Sequence, residues 1–182
     1  SNLLSFGNSL CCFKGYFFFE ENFYSGKEAA KFLIKNLELF DSDEKFDQLN
    51  GIFSCMIVNL DINEAVLIAD RIAPIGLYYY YTETSLVISD DVFSIYKNNL
   101  DIEVDIVSLV EMLSYRFVTG KYTMFENIFQ INPASVLKFN FLKGKSITKN
   151  ENRYWDYCFK PTNESIDAIE RKCNRILSDI MT

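Results

Sequence analysis

Histidine is absent from the 182-residue sequence. Ser-His-Asp and Cys-His catalysis both need an imidazole that shuttles a proton near neutral pH, so those classes are excluded. Glycine is sparse: seven residues, scattered, forming neither G-x-x-x-x-G-K-S/T nor G-x-G-x-x-G. The chain therefore carries no phosphate-cradling loop of either kind. The five Cys, at positions 11, 12, 55, 158 and 173, are odd in number and include no C-x-x-C pair. Without His to complete a ligand set, they indicate neither a disulfide framework nor a metal site. Positive charge is also short, with 18 Lys and Arg against 25 Asp and Glu and a net charge of −7. No stretch concentrates Lys or Arg as a phosphate-tracking surface requires, and nucleic acid is not an expected partner. No apolar run approaches the roughly 20 residues of a membrane helix, and no charged-then-apolar leader opens the chain. No membrane partner is expected, and the expected location is cytoplasmic.

Aromatic residues are plentiful, with 17 Phe and 11 Tyr. They cluster at Phe17-Phe18-Phe19 and Tyr78-Tyr79-Tyr80-Tyr81 inside strand-like segments. Rings fit the half-buried face of a pleated sheet, so core packing is the main reading and a ligand-stacking platform the other. Hydrophobic residues make up 49% and charged residues 24%, an ordinary globular composition for one domain with a short trailing element. Cys55 lies in an alternating run and reads as an inert core thiol, as does the Cys11-Cys12 pair.

Leu10 to Phe19 predicts a strand, followed by a turn at Glu20 to Tyr24. Ser25 and Glu28 form an S-x-x-E capping box ahead of Ala29, Ala30, Leu33, Ile34 and Leu37, the spacing of an amphipathic helix. Asp41 to Glu44 predicts a solvated acidic loop. Ile52 to Leu60, Glu64 to Asp70, Ile75 to Thr82 and Ser85 to Ser89 predict strands of consecutive hairpins. Asp105 caps a second helix with Ile106, Leu109, Val110 and Leu113 on one face, and Gly120 closes that segment. Ser135 to Phe141 and Ser146 to Thr148 predict two more strands around a Lys143-Gly144 turn. A final helix from Asn163 carries Ile166, Ile169, Cys173, Ile176, Leu177 and Ile180 on one stripe. That stripe has little to pack on, so the natural protein is expected to continue, with 1–155 one domain and 156–182 a linker and first helix leading onward.

Five segments in order carry a resemblance. Leu49 to Ser54 reads L-N-G-I-F-S, and Leu67 to Tyr79 reads L-I-A-D-R-I-A-P-I-G-L-Y-Y, with Ala73 and Gly76 in place of a Gly and a Pro. Ser85 to Asp91 ends a strand in an acid, Leu113 to Pro133 contains L-S-Y and T-M-F-E-N-I, and Arg153-Tyr154-Trp155 follows. Together they resemble the class II glutamine-amidotransferase domain of the asparagine synthase family. The resemblance implies an α+β N-terminal-nucleophile hydrolase fold: two stacked antiparallel β-sheets flanked by helices, here shortened at the N-terminus.

In active members an N-terminal Cys is the nucleophile and its own α-amino group the base. Residue one here is Ser, and Ser1-Asn2 is equally explained as a tag remnant. The family's Asn-Gly-acid oxyanion and substrate strand end has its counterpart in Lys14, Gly15 and Tyr16, a vestigial site. A further family acid aligns near Gly26, where no carboxylate stands. Asn50, Gly51, Asp70, Arg71 and Asp91 are expected to be structural motif residues, the last three through a turn-anchoring ion pair or cap, or else through contacts to a partner domain. The pattern resembles that of lasso-peptide cyclases and β-lactam synthetases, whose front domain is inert.

The implied partner is the protein's own C-terminal synthetase domain, which would use ATP and Mg²⁺; neither belongs to this chain. A peptide or small carboxylate is the implied substrate class, and a homodimer is compatible with the sequence. Two rival readings stay open: an active glutamine amidohydrolase with Ser1 or a lost Cys as nucleophile, and a stand-alone peptide-binding module.

Overall fold

The computed structural model describes residues 3–37, 46, 48–98, 101–141, 146–159, 161 and 163–181. Alternating and continuous apolar runs form strands β1 (Leu3–Phe6), β2 (Ser9–Phe19), β3 (Asn22–Ser25), β4 (Asn50–Asn59), β5 (Glu64–Ala69), β6 (Tyr78–Tyr81), β7 (Leu86–Ser89), β8 (Ile128–Gln130), β9 (Ser135–Asn140) and β10 (Thr148–Arg153). The helices are α1 (Gly26–Asn36), α2 (Val92–Asn98), α3 (Ile106–Tyr115) and α4 (Ile166–Met181). One antiparallel sheet runs in the order β1-β2-β4-β5-β9-β10, with β3 also paired to β2, and a second runs β7-β6-β8.

Three apolar clusters show how the layers stack. On one face of the large sheet, Cys11, Phe13, Phe17, Phe53, Cys55, Ile57 and Ile68 pack with Ala29, Ala30 and Leu33 of α1. The period-2 alternation sends Ala65, Leu67, Ala69, Leu137 and Phe139 to the opposite face, where they meet Leu77, Tyr79 and Ile131. The far face of the small sheet presents Ile128, Tyr78, Tyr80 and Val87 to Ile95 of α2. The result is α1, large sheet, small sheet, α2: the expected α+β arrangement of two stacked antiparallel sheets with helices outside. β5 is buried on both faces, which is why it reads as a continuous apolar run.

Several local expectations are corrected. The turn after β2 is only Glu20-Glu21, at φ 47° and 66°, and Asn22–Ser25 return as a strand beside β2. Two positive φ values make the tight turn that suits strand twist, but Glu-Glu lacks the Asn-Gly signature that would announce it. Ser25 sits at the N-cap of α1 with extended backbone yet donates and accepts no capping bond. The φ of 50° at Gly26 rotates the entry turn out of capping-box geometry. The strand expected from Ile75 starts only at Tyr78, because 70–77 carries the chain from one sheet to the other. The last expected strand lies at Thr148–Arg153, further on than Ser146 to Thr148.

α3 is capped by Asp105, whose carboxylate accepts from Val107 N and Ser108 N, but its apolar stripe faces solvent. On the stripe of α4, Ile166, Ile169, Ile176 and Leu177 are exposed, as expected. The aromatic runs alternate: Phe17 and Tyr79 are buried, whereas Phe18 is 43% exposed. The Asp41 to Glu44 loop and the Lys143-Gly144 turn lie outside the described residues.

Candidate functional site

Along β2, side chains alternate so that Cys11, Phe13 and Phe17 face α1 while Cys12, Lys14, Tyr16 and Phe18 face the other way. Between the sheets on that side lies a cavity of ≈ 260 Å³ bounded by Cys12 and Lys14 of β2, Ser54 and Met56 of β4, and Ser89 and Asp90 at the end of β7. Lys14 Nζ and the Asp90 carboxylate form an ion pair across it, joining the two sheets. The Lys14 ammonium hydrogen bond holds the Asp90 carboxyl below the usual carboxylate range, against some opposing burial. With Lys14 committed to Asp90, the remaining polar groups at the wall are a thiol and two hydroxyls.

The three residues of the Lys14-Gly15-Tyr16 stretch do not converge. Lys14 alone lines the cavity. Gly15 has φ 96°, and a Cβ there would stand 2.0 Å from Ile52 O. Gly51, which pairs with Phe17 two positions along the same β2–β4 ladder, admits no side chain either, since a Cβ would lie 2.3 Å from Tyr16 O and 2.6 Å from Phe17 Cα. The two glycines let β2 and β4 approach at this point. Tyr16 turns to an exposed aromatic trio, with its ring centroid 5.7 Å from Phe23 and 6.2 Å from Phe18. Asn50, also exposed, pairs in register with Phe18. Ser1 lies outside the described residues. Gly26 opens α1 and brings no acid to the site.

Asp70 is 2% exposed, and its carboxylate gathers three backbone donors: Phe53 N at 2.9 Å on one oxygen, Ile72 N at 2.8 Å and Ala73 N at 3.0 Å on the other. It fastens the inter-sheet crossing to β4. The guanidinium of Arg71 lies over the Trp155 ring, 5.4 Å from its centroid. Asp91 caps α2, accepting from Phe93 N, Ser94 N and Ser94 Oγ. The Ser94 hydroxyl, then these backbone donors, hold its carboxyl below the usual range.

A second polar group also crosses between the sheets, and sequence reasoning missed it. Lys149 of β10 donates to Tyr79 Oη at 2.8 Å and pairs with Glu151 at 3.5 Å, and Glu151 accepts from Asn132 Nδ2 at 2.6 Å. Burial, then the Glu151 charge, pushes the Tyr79 phenol well up. Asp90 was likewise passed over, because nothing local marks it as the partner of a lysine on β2. Among the described residues, no group of three His, Cys, Asp or Glu could hold a metal ion. None of their helices is long and apolar enough to cross a membrane.

Residues 21–155 match the model of the glutamine amidotransferase domain. The chain belongs to the glutamine amidotransferase domain family. A glutamine amidotransferase domain is what the motifs pointed to. Among solved structures, this glutamine amidotransferase domain is similar to a glutamine phosphoribosylpyrophosphate amidotransferase from B. subtilis complexed with ADP and GMP, at 9% identity and a TM-score of 0.44. The alignment covers 85% of this chain and 31% of that one, so the domain spans under a third of that protein's length. No curated protein matches the chain.

Proposed function

We propose that this is a non-catalytic amidotransferase-like domain of an asparagine-synthase-type protein, whose role is to support a separate domain that forms amides with ATP and Mg²⁺. The observation that carries this reading is Lys14. In the family that the motifs resemble, an Asn side chain and the following Gly N–H stabilise the oxyanion, and the next residue, an acid, holds the substrate amine. Here Lys14 stands in the Asn position with its charge neutralised by Asp90, and Tyr16 stands in the acid position with its ring outside the cavity. Losing one oxyanion donor costs about 2.7–4 kcal/mol of barrier, and the lost amine anchor adds to that.

The ordered motifs over 49–155 support the asparagine-synthase assignment and, by resemblance, its cyclase-like or β-lactam-synthetase-like branch. Residues 156–182 then serve as the lead into the second domain. ATP and Mg²⁺ belong to that domain, which would act on a peptide or small carboxylate in the cytoplasm.

The test is ammonia release from glutamine by the natural-length protein. No release above background is expected; turnover at about 1 s⁻¹ or faster, within the ordinary enzyme range, would make it an active amidohydrolase instead. A reading frame without S-G-G-x-D-S downstream of Thr182 would remove the ATP part. A second reading, a peptide-binding face, draws on the exposed Tyr16, Phe18 and Phe23 rings. A peptide-array screen of the domain with no hits would count against it.

A further inference from the structure

Helix α3 is built inside out. Its buried side chain is Ser108, while Ile106, Val107, Val110 and Leu113 stand 66%, 71%, 55% and 76% exposed. Tyr115 and Phe117, in ring contact at 6.2 Å, extend the apolar area. Six side chains of this size, each more than half exposed, present on the order of 700 Å², above the roughly 300–600 Å² of the largest patch on a typical monomer. Each partner in a standard protein interface contributes about 800 Å².

Charge favours a copy of the same chain as the cover. The molecule carries −7 overall, yet residues 104–122 hold only Asp105, Glu111, Arg116 and Lys121, two of each sign. The Glu111 carboxylate is turned onto Thr119, accepting from its backbone N at 2.9 Å and its hydroxyl at 2.8 Å. Asp105 and Arg116 flank the two ends of α3. An antiparallel pair of these helices, centred between Val110 and Glu111, therefore sets each Asp105 beside the partner's Arg116. The same orientation opposes the two helix dipoles. We propose that α3 is the two-fold interface of a homodimer, with the Ile106–Val110–Leu113 stripe packed antiparallel against itself in a second copy.

Sedimentation velocity with light scattering on the full chain, from roughly micromolar concentration upward, should show a mass rising to twice 21.2 kDa. Leu113→Asp, at an exposed position, should leave the melting of the monomer intact and weaken dimerisation about 30-fold or more, the loss expected at an interface hot spot. Ile176→Asp on α4 should leave the dimer unchanged. With the exposed Cys158 and Cys173 replaced by Ser, Val110→Cys should cross-link on mild oxidation because it sits beside the axis. Ile106→Cys should not, since its two copies would lie roughly 13 Å apart along the helices at 1.5 Å per residue. A chain that stays monomeric at every concentration overturns the proposal. So does a dimer that survives Leu113→Asp but is lost with Ile176→Asp, or one cross-linked by Ile106→Cys instead of Val110→Cys.

Discussion

Replacing Asp70 by Ala removes the acceptor that holds the crossing between the sheets. Its carboxylate takes hydrogen bonds from Phe53 N, Ile72 N and Ala73 N. Phe53 and Ala73 are buried, whereas Ile72 is 68% exposed, so water can replace the acceptor only for Ile72. A buried donor left without a partner costs about 1–3 kcal/mol, which for two gives a destabilisation of about 2–6 kcal/mol. That is a large part of the roughly 5–15 kcal/mol total stability of a domain. In a chain of this size it should lower the melting temperature by roughly 10 °C. Asp70→Asn keeps one acceptor oxygen but turns an amide donor toward backbone donors, so its loss should fall between those of Ala and the wild type. Urea unfolding, with the midpoint read at constant slope, measures both variants. An Asp70→Ala chain within about 0.5 kcal/mol of wild type, the range of an inconsequential surface change, would refute the reasoning.

Gly15→Ala should be more damaging than a surface change, because its Cβ would stand 2.0 Å from Ile52 O at a φ of 96°; soluble yield and melting temperature report it, and a wild-type melt would contradict the close β2–β4 approach. The Lys14–Asp90 pair is more than a third exposed on each side, so a double-mutant cycle should give a coupling of only about 0.2–1 kcal/mol at neutral pH. Because pairing depresses the Asp90 pKa, that coupling should be complete above the ordinary Asp range near 4 and be lost as the pH falls below it; coupling that persists once the carboxyl is protonated would contradict the ion pair. The Tyr79 phenol is pushed up, so its stabilisation is complete below the unfolded value of about 10 and declines as the pH rises above it. Ultraviolet titration should find a tyrosine that ionises only with alkaline unfolding, and one whose absence in Tyr79→Phe changes nothing would count against the assignment.

Much of the architecture was legible because burial leaves a period in the residues. β2, β4 and α1 announced themselves by alternation or by three-and-four spacing, and β5 by a run buried on both faces. What escaped depended on partners distant in the chain or on backbone angles. β3 and its Glu20-Glu21 turn lack the usual turn residues, and β8 is only three residues long. The stripe on α3 has the pattern of an inward face, but Ser108 and not Ile106 or Val110 points to the interior. Periodicity shows that a helix has an apolar side without saying what covers it. At the site, the Lys14-Gly15-Tyr16 stretch was visible as a string, but only the fold brings Asp90 to Lys14 and leaves Tyr16, on the same face, outside the cavity among Phe18 and Phe23. The Lys149–Tyr79 contact joins strands that lie far apart in sequence and leaves no local trace.

The strand order has a consequence for synthesis. β5 pairs with β9, so Ile68 finds its neighbour Val136 only after the entire second sheet has been made. At roughly 5–20 residues per second the ribosome takes several seconds to supply that neighbour. During that interval the β5 edge, one of the most apolar segments of the molecule, is open to any passing strand. Slower translation between Asp70 and Ala134 would lengthen the exposure, and a chaperone that recognises extended apolar segments would find its natural binding point at Ala65–Ala69.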